Sequence, residues 1–236
     1  MLMNSITILL KLTGEVLLHQ NTQKLNDSLV RSIARQIKQL ESTHRFGIVI
    51  GGGNFFRGSV QGTVLKLTPS IGHQIGMLAT MMNGLIIKDL FEQEGLSSTL
   101  FCAVPASEIG APISHQTIEN ALVHKKLLIF TGGTGNPFFT TDTTAILRGL
   151  QINATQVWKG TTVDGIYTAD PKKDPCAQRL STLSYDQALM EKMGIMDATA
   201  IALARQHRLP IRVFNIFHDQ AIICAAEDQS FGSTMS

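Results

Sequence analysis

Charge is scarce in this 236-residue sequence. Lys and Arg together number 20 and Asp and Glu 18, so charged residues make up 16% of the chain and the formal net charge is +2. An average soluble domain has about 25% charged residues. Without a cluster of Lys and Arg, the chain lacks the positive surface by which proteins attract nucleic acid. The composition therefore predicts no nucleic-acid partner.

Long apolar runs and paired cysteines are also missing. The longest apolar runs, such as Leu127–Phe130, are far shorter than the ~20 residues that span a bilayer. The N-terminal stretch lacks the basic region of a signal peptide. The cysteines are Cys102, Cys176 and Cys224, and they form no C-x-x-C pair. We expect reduced thiols in a cytoplasmic protein, with no disulfide framework, no zinc site and no membrane partner.

Strand-like and helix-like segments alternate along the chain. Strands are predicted at short apolar runs, and helices where apolar residues recur at helical spacing. The predicted strands are Ile6–Leu12, Phe46–Ile50, Thr99–Val104, Leu127–Thr131, Ala154–Lys159, Gly165–Thr168 and Ile211–Asn215. The predicted helices are Leu25–Ser42, 74–93, 115–124, Tyr185–Met190 and Asp197–Gln206. This order predicts an α/β fold with a parallel, helix-covered sheet and a single domain over residues 1–236.

Glycines follow two of the predicted strands, in the loops Gly51–Arg57 and Gly132–Thr141. Parallel strands end at one edge of a sheet, where ligands bind, and glycine lets backbone N–H groups approach an anion closely. Such glycines can also serve only to form turns, but two loops of this kind favour phosphate binding. Neither G-x-x-x-x-G-K-[ST] nor a complete G-x-G-x-x-G occurs. We therefore predict a phosphate cradle of another kind.

Three cations stand at or just beyond predicted strand ends. Lys11 lies at the end of the first strand, Arg57 follows the first glycine loop, and Lys159 ends a later strand. A cation at this edge stabilises the charge on a phosphoryl group during transfer. The alternative for Lys11 is a lysine that protects an edge strand from aggregation. We interpret the three cations as parts of one anion site.

Hydroxyl and amide side chains are concentrated between Thr134 and Asp142, around an aromatic pair. They offer hydrogen-bond partners for a polar ligand and apolar faces for a ring. Thr140 or Thr141 can also cap a following helix, whose dipole Asp142 favours, and the two roles are compatible. Further along, the dipeptide Asp164-Gly165 is typical of a hairpin turn.

Together these segments resemble the amino acid kinase superfamily and, within it, the bacterial UMP kinases. The resemblance runs from about residue 6 to about residue 217 in the same order. It rests on Leu10–Glu15, Val49–Gly58, Gly76–Thr80, Thr134–Asp142, Val163–Pro171 and Leu209–Asn215. The most specific of these segments is Thr134–Thr141. The resemblance implies a three-layer α/β sandwich with a central, mostly parallel sheet, the nucleoside-monophosphate side mainly in 1–150 and the ATP side mainly in 151–236.

The resemblance also implies a role for each site residue. Lys11, Arg57 and Asp142 would be catalytic, with the two cations on the transferring phosphate. The ATP-binding residues would be Lys11, Leu12, Thr13, Gly14, Gly53, Arg57, Thr161, Tyr167 and Asp170. The UMP-binding residues would be Gly52, Thr134, Gly135, Asn136, Pro137, Phe138, Phe139, Thr140 and Thr141. Asp197 would help Asp142 to organise the site.

The implied activity is transfer of the γ-phosphoryl group of ATP to UMP, giving UDP and ADP, in the synthesis of pyrimidine ribonucleotides. Mg²⁺ would accompany ATP without a dedicated protein ligand, and relatives suggest a homohexamer. The phosphate of UMP is already largely ionised at neutral pH. The reaction therefore needs alignment and charge neutralisation rather than a general base.

Two alternatives stay open beside this interpretation. A carboxylate or carbamate kinase of the same fold would need a cationic pocket for a small acid, and Thr134–Thr141 contains no Lys or Arg. A nucleotide-sensing regulator without turnover would be favoured by the loss of Lys11 or Arg57, and both are present.

The chain departs from the pattern of the family at two places. His73 stands where the family usually has an aspartate that holds the UMP ribose, so no residue is assigned to that contact. Leu17–Thr22 replaces a glycine-rich loop that is linked to GTP activation in relatives. Activation by GTP and inhibition by UTP therefore stay open.

Overall fold

The computed structural model describes residues 5–19, 24–57, 62, 64–171, 173–191 and 194–236. The strands are β1 (Ile6–Leu12), β2 (His44–Ile50), β3 (Ser98–Cys102), β4 (Ala111–Pro112), β5 (Leu127–Thr131), β6 (Gln156–Thr161), β7 (Ile166–Tyr167), β8 (Arg179–Leu180), β9 (Thr182–Leu183), β10 (Ile211–Asn215) and β11 (Ser233–Met235). The helices are α1 (Ser28–Gln39), α2 (Pro69–Gln93), α3 (His115–Val123), α4 (Thr141–Gln151), α5 (Tyr185–Met190), α6 (Ala198–His207) and α7 (Ala221–Glu227). A short 3-10 helix, Gly14–Leu17, follows β1.

Nine strands form one sheet in the order β4-β3-β5-β2-β1-β6-β10-β11-β9. Of the described pairs in this sheet, only β10 with β11 is antiparallel. Strand β1 is central and pairs with β2 on one side and β6 on the other. Because β1, β2, β5 and β6 run in the same direction, their carboxyl ends meet at one edge of the sheet. Both glycine loops start from this edge.

Helices cover both faces of the sheet and give the molecule three layers. On one face α1, α2 and α7 pack over a core that includes Phe91 and Ile222. On the other face α3, α4, α5 and α6 pack over a second core that includes Ile146. Alternate residues of one strand serve the two cores, since Leu10 belongs to the first and Leu9 to the second. The predicted α/β architecture with a mostly parallel central sheet is confirmed.

The predicted hairpin around Asp164-Gly165 is wrong. Strand β6 is paired along both edges, with β1 and with β10, so no edge is left for β7. Strand β7 pairs instead with β8 as a separate antiparallel ribbon, in which Ile166 faces Leu180. The turn of this ribbon therefore lies between Tyr167 and Arg179.

Helix α2, with 25 residues, is the longest described helix. It starts five residues earlier than predicted, at Pro69, whose fixed φ suits the first turn of a helix. Within the described part of the chain, no helix combines the length and apolar character needed to cross a membrane.

Candidate active site

Two lysines and one aspartate form a charge cluster at the carboxyl edge of the sheet. Lys11 of β1 and Lys159 of β6 are paired in register, so their side chains leave the same face of neighbouring strands. Lys11 Nζ lies 3.0 Å from Asp142 Oδ1, and Lys159 Nζ lies 2.7 Å from Asp142 Oδ2. Because β1 is central in the sheet, the edge-strand alternative for Lys11 is excluded. The cluster brings two of the three predicted cations to the predicted Asp142.

Burial and charge oppose each other in this cluster, whose side chains are only 12–15% exposed. Burial alone would raise the pKa of the Asp142 carboxyl, but the charges of Lys11 and Lys159 outweigh it and hold the pKa below its ordinary value. Burial lowers the pKa of Lys159, although the attraction of Asp142 opposes that shift. Both cations share the Asp142 carboxylate, and the negative charge of Asp197 also opposes the lowering of the pKa of Lys159. The cluster is suited to an incoming phosphate.

The first turn of α4 holds Asp142 in place. Thr140 is the N-cap of α4, and its hydroxyl accepts hydrogen bonds from the backbone N–H groups of Asp142 and Thr143. Asp197 caps α6 by accepting from the Ala200 N–H at 2.9 Å. The same carboxylate accepts from the hydroxyls of Thr140 and Thr143. Asp197 thus joins α6 to the helix that carries Asp142.

The first glycine loop packs tightly on α2 and on the turn after β1. A Cβ atom on Gly52 would lie 2.8 Å from Ala79 Cβ and 2.9 Å from the Gly76 carbonyl oxygen. A Cβ atom on Gly14 would lie 2.2 Å from Asn54 Oδ1. These close approaches explain why glycine is needed at both positions. The loop therefore lies directly beside the Lys11–Gly14 segment.

A cleft of about 960 Å³ opens beside the glycine loops. Its lining includes six residues of the predicted site, namely Gly52, Gly53, Arg57, Phe139, Thr140 and Thr141. His73 of α2 also lines the cleft, and its ring centroid is 5.1 Å from that of Phe138. The imidazole of His73 therefore faces the same space as the second glycine loop.

Arg57 is held at the mouth of this cleft, half-exposed. Its Nε donates to the Gly53 carbonyl at 3.1 Å, and its Nη2 donates to the Glu15 carboxylate. Glu15 follows Gly14, so this ion pair joins the first glycine loop to the turn after β1. The third predicted cation has an acidic partner of its own, separate from Asp142.

The structure does not gather every predicted residue into this cleft. Thr134 lines a second cleft, of about 750 Å³, and its hydroxyl accepts from the Asn136 N–H at 3.2 Å. Gly135 takes a left-handed conformation with φ of 82°, as does Phe138 with φ of 71°. The loop thus turns sharply between Thr134 and Phe139.

The predicted ATP-side residues of the second half lie after β6. Thr161 is the last residue of β6, two residues after Lys159. Tyr167 belongs to β7 and donates to Asp164 Oδ1 at 2.6 Å, which raises the pKa of the phenol. Asp170 lies in the turn between β7 and β8. None of these three is among the described residues that line the 960 Å³ cleft.

One more buried polar side chain lies beside the first glycine loop. Asn83 of α2, which was not singled out from the sequence, is fully buried and contacts the first glycine loop. An amide within the otherwise apolar stretch Met81–Ile87 is the signal that could have found it.

In the part of the chain that the structure describes, no group of three or more His, Cys, Asp or Glu residues is arranged to hold a metal ion.

The relatives found by comparison with known proteins agree with one another. The amino acid kinase family matches residues 7–215. A uridylate kinase of Saccharophagus degradans is 42% identical over 217 residues, which cover 92% of this chain and 87% of that protein. The crystal structure of a UMP kinase from Ureaplasma parvum matches with a TM-score of 0.92 at 30% identity, covering 99% of this chain and all of that one. A UMP kinase from Bacillus anthracis matches with a TM-score of 0.88 at 28% identity, covering 98% and 95% of the two chains.

Proposed function

This chain belongs to the amino acid kinase family, and we propose that it transfers the γ-phosphoryl group of ATP to UMP, giving UDP and ADP. The observation that carries the proposal is the cluster of Lys11, Lys159 and Asp142 beside two glycine loops. The 42% identity to a uridylate kinase supports UMP as the acceptor. We place the reaction in the synthesis of pyrimidine ribonucleotides and the protein in the cytoplasm.

In the proposed mechanism the chain supplies alignment and charge. The UMP phosphate is largely ionised at neutral pH and attacks without a general base. Lys11 faces the transferring phosphoryl group and offsets its charge, while Asp142 keeps Lys11 and Lys159 at their spacing. Arg57 approaches the phosphates from the mouth of the cleft. Preorganised cations of this kind act strongly because the buried site does not have to reorganise during the reaction.

Mg²⁺ enters the proposed reaction with ATP, as part of that substrate. Both carboxylate oxygens of Asp142 already face lysines, at 3.0 and 2.7 Å. Mg²⁺ usually keeps several waters and binds through phosphate oxygens. We therefore infer that the ATP phosphates and water hold the ion, without a carboxylate of the cluster.

The two substrates are assigned to different residues around the cluster. For UMP we propose Gly52 and the loop that contains Thr134, Gly135, Asn136, Pro137, Phe138, Phe139, Thr140 and Thr141. For ATP we propose Lys11, Leu12, Thr13, Gly14, Gly53, Arg57, Thr161, Tyr167 and Asp170. The joint presence of Gly52 and Phe139–Thr141 in one cleft supports the first assignment.

The proposed activity is tested by ADP release from Mg·ATP with UMP, CMP, dUMP, glutamate or carbamate as acceptor. We expect the highest kcat/KM with UMP. Faster turnover with glutamate or carbamate would replace the proposal by a carboxylate or carbamate kinase. Tight UMP binding without ADP release would replace it by a sensor without turnover.

We also propose that the chain assembles as a homo-oligomer, the homohexamer suggested by its relatives. Four apolar side chains of α2 are 42–53% exposed, namely Ile71, Leu78, Met82 and Leu85. Their spacing of seven, four and three residues places them on one face of the helix. An exposed apolar stripe of this kind is typical of a contact with another protein surface. A second copy of the chain is the occupant we propose.

A further inference from the structure

Helix α2 reaches both glycine loops through two buried polar side chains, Thr80 and Asn83. Their exposed fractions are 3% and 0%. Residues three apart lie on the same side of a helix, so both side chains point toward the edge of the sheet where the site lies. Buried hydroxyl and amide groups are costly unless they form hydrogen bonds. The hydrogen-bond partners of Thr80 and Asn83 therefore explain why polar residues occupy these buried positions.

Thr80 holds the start of the second glycine loop. Its Oγ1 accepts the Gly132 N–H at 2.8 Å and donates to the Met77 carbonyl at 2.7 Å. The helix comes very close to β5 at this point, since a Cβ atom on Gly84 would lie 2.2 Å from Thr131 Cγ2. Gly132 begins the loop that carries the proposed UMP-binding residues. Thr80 thus sets where that loop leaves the sheet.

Asn83 holds the first glycine loop. Its Nδ2 donates to the Gly51 carbonyl at 2.6 Å and to Asn54 Oδ1 at 2.7 Å. Asn54 Nδ2 donates back to Asn83 Oδ1 at 3.0 Å. Asn54 in turn packs against Gly14, which leaves no room there for a Cβ atom. Asn83 thus sets the first loop and, through Asn54, the turn after β1.

We propose that Thr80 and Asn83 are positioning residues for different loops. Thr80 positions the second glycine loop, which is proposed for UMP. Asn83 positions the first glycine loop and the turn after β1, which carry Gly52 for UMP and the backbone that faces the ATP phosphates. The inference rests on the proposed function for the identity of the two substrates. Because one rigid helix carries both residues, their spacing fixes the distance between the two loops. Misplacement of a substrate by about an ångström is enough to slow a transfer reaction strongly.

The test uses five variants of the full chain. Thr80→Val removes the hydroxyl without changing the size of the side chain, and Thr80→Ser restores the hydroxyl. Asn83→Leu removes the amide of Asn83. Asn54→Ala removes only the side chain to which that amide is hydrogen-bonded, and it takes the place of Asn83→Leu in the test if that variant does not fold. Tyr185→Phe is the matched control, because it deletes one buried hydrogen bond, from Tyr185 Oη to the Leu209 carbonyl at 2.6 Å, in the opposite helix layer.

Three quantities are measured for each variant: the KM for UMP and for ATP with kcat, the melting temperature, and hydrogen exchange of peptides that contain Gly132 or 51–54. We expect Thr80→Val to raise the KM for UMP about tenfold, the size of one lost buried hydrogen bond. Its KM for ATP stays within about twofold, and Thr80→Ser restores the KM for UMP. Asn54→Ala and Asn83→Leu raise the KM for ATP or lower kcat by a similar factor, and they also raise the KM for UMP, because Gly52 lies between Gly51 and Asn54. Tyr185→Phe lowers only the melting temperature.

Two results would overturn the inference. If Thr80→Val behaves like Tyr185→Phe, with a lower melting temperature and both KM values unchanged, Thr80 is only structural. If Thr80→Val raises the KM for ATP as much as the KM for UMP, the division between the two loops is wrong. Hydrogen exchange needs no substrate, so it tests whether Thr80 holds Gly132 and Asn83 holds 51–54 even if the wild-type chain fails to phosphorylate UMP.

Discussion

For the individual residues of the site, the balance of charge around the two buried lysines matters most in the proposed transfer. Asp142 is shared by Lys11 and Lys159, and the charge of Asp197 also acts on Lys159, so carboxylates hold both buried lysines in place. A cluster without a carboxylate would place two buried cations side by side.

Replacing Lys11 tests its role in the transfer step. We expect Lys11→Ala to lower kcat by orders of magnitude while UMP binding largely survives, because the cation acts on charge that develops during transfer. Steady-state kinetics and calorimetric titration with UMP measure the two effects. Lys88→Ala is the matched control, since Lys88 is paired with Glu92 on the surface of α2. Unchanged turnover in Lys11→Ala would refute the assignment.

Replacing Asp142 tests how its carboxylate contributes to stability at different pH values. In the fold the pKa of Asp142 lies below its ordinary value of 3.8. The carboxylate therefore stabilises the fold above that value, and this contribution is lost as the pH falls from 3.8 through the lower pKa of the folded state. At pH 7 we expect Asp142→Asn to lower the free energy of unfolding by about 3–5 kcal/mol, since it removes the carboxylate that two buried cations share.

The measurement for Asp142→Asn is urea unfolding of both proteins between pH 7 and pH 2. The difference in the free energy of unfolding should be constant near neutral pH and should narrow below pH 3.8. A difference that stays constant over the whole range would show that Asp142 does not stabilise the fold as a carboxylate.

Among the secondary-structure elements, α7 is attached to the sheet by one buried arginine. Arg212 of β10 donates to the carbonyls of Ala225 and Gln229, each at 2.6 Å, and to that of Asp228 at 3.3 Å. It thus binds carbonyl groups at the end of α7, where the helix itself leaves them unpaired. Burial lowers the pKa of Arg212, but arginine stays charged at neutral pH.

Arg212→Met should therefore destabilise the fold without altering the site. We expect a loss of about 3 kcal/mol, from buried carbonyls left without a donor. The KM values for ATP and UMP should be unchanged in the folded fraction. Chemical unfolding and kinetics below the melting temperature measure both. An altered KM with unchanged stability would contradict this structural role.

The elements differ in how well the sequence predicts them. Long apolar strands such as Ile6–Leu12 and Leu127–Thr131 have the predicted bounds, because a buried central strand needs a continuous apolar run. Strands β8, β9 and β11 contain only two or three residues, too few for a periodic pattern. The prediction of a hairpin at Asp164-Gly165 is wrong because both edges of β6 are paired with other strands. The residues of the turn do not reveal that pairing.

The candidate site was predictable in its strand ends and loops but not in its long-range contacts. Lys11, Arg57 and Thr134–Asp142 are visible in the sequence because residue type and position after a strand mark them. The ion pairs of Asp142 with two strands, and the contacts of Thr80 and Asn83 with two loops, join segments far apart in the chain. Only the packing of α4 and α2 creates them. Part of the loop that departs from the family, 20–22, lies outside the described residues.

For the whole molecule, the scarcity of charge and the exposed apolar stripe of α2 both lead us to expect assembly with further copies of the chain. Interface cores are depleted in charged residues, and the chain is 16% charged. The stripe of Ile71, Leu78, Met82 and Leu85 would be covered by a second copy in the proposed homo-oligomer. A contact of this kind would remove apolar surface from water, worth about 25 cal/mol per Å².

A charge placed in this stripe tests the proposed assembly. We expect Met82→Glu to reduce the sedimentation coefficient, because a carboxylate in an apolar interface is strongly unfavourable. Val123→Glu is the matched control, since Val123 is an apolar side chain on α3 that is 75% exposed. If the wild-type chain sediments as a monomer, or if Met82→Glu assembles as the wild type does, the stripe is not the interface.

The most direct test of the proposed transfer follows the γ-phosphorus atom of ATP. The chain is incubated with UMP and Mg·ATP that carries the label in its γ-phosphate, and the labelled products are separated. The proposed function predicts that the label appears in the β-phosphate of UDP, in equal amount to the ADP released, and that Lys11→Ala abolishes the transfer. Label found only in inorganic phosphate, or no consumption of ATP in the presence of UMP, would contradict it.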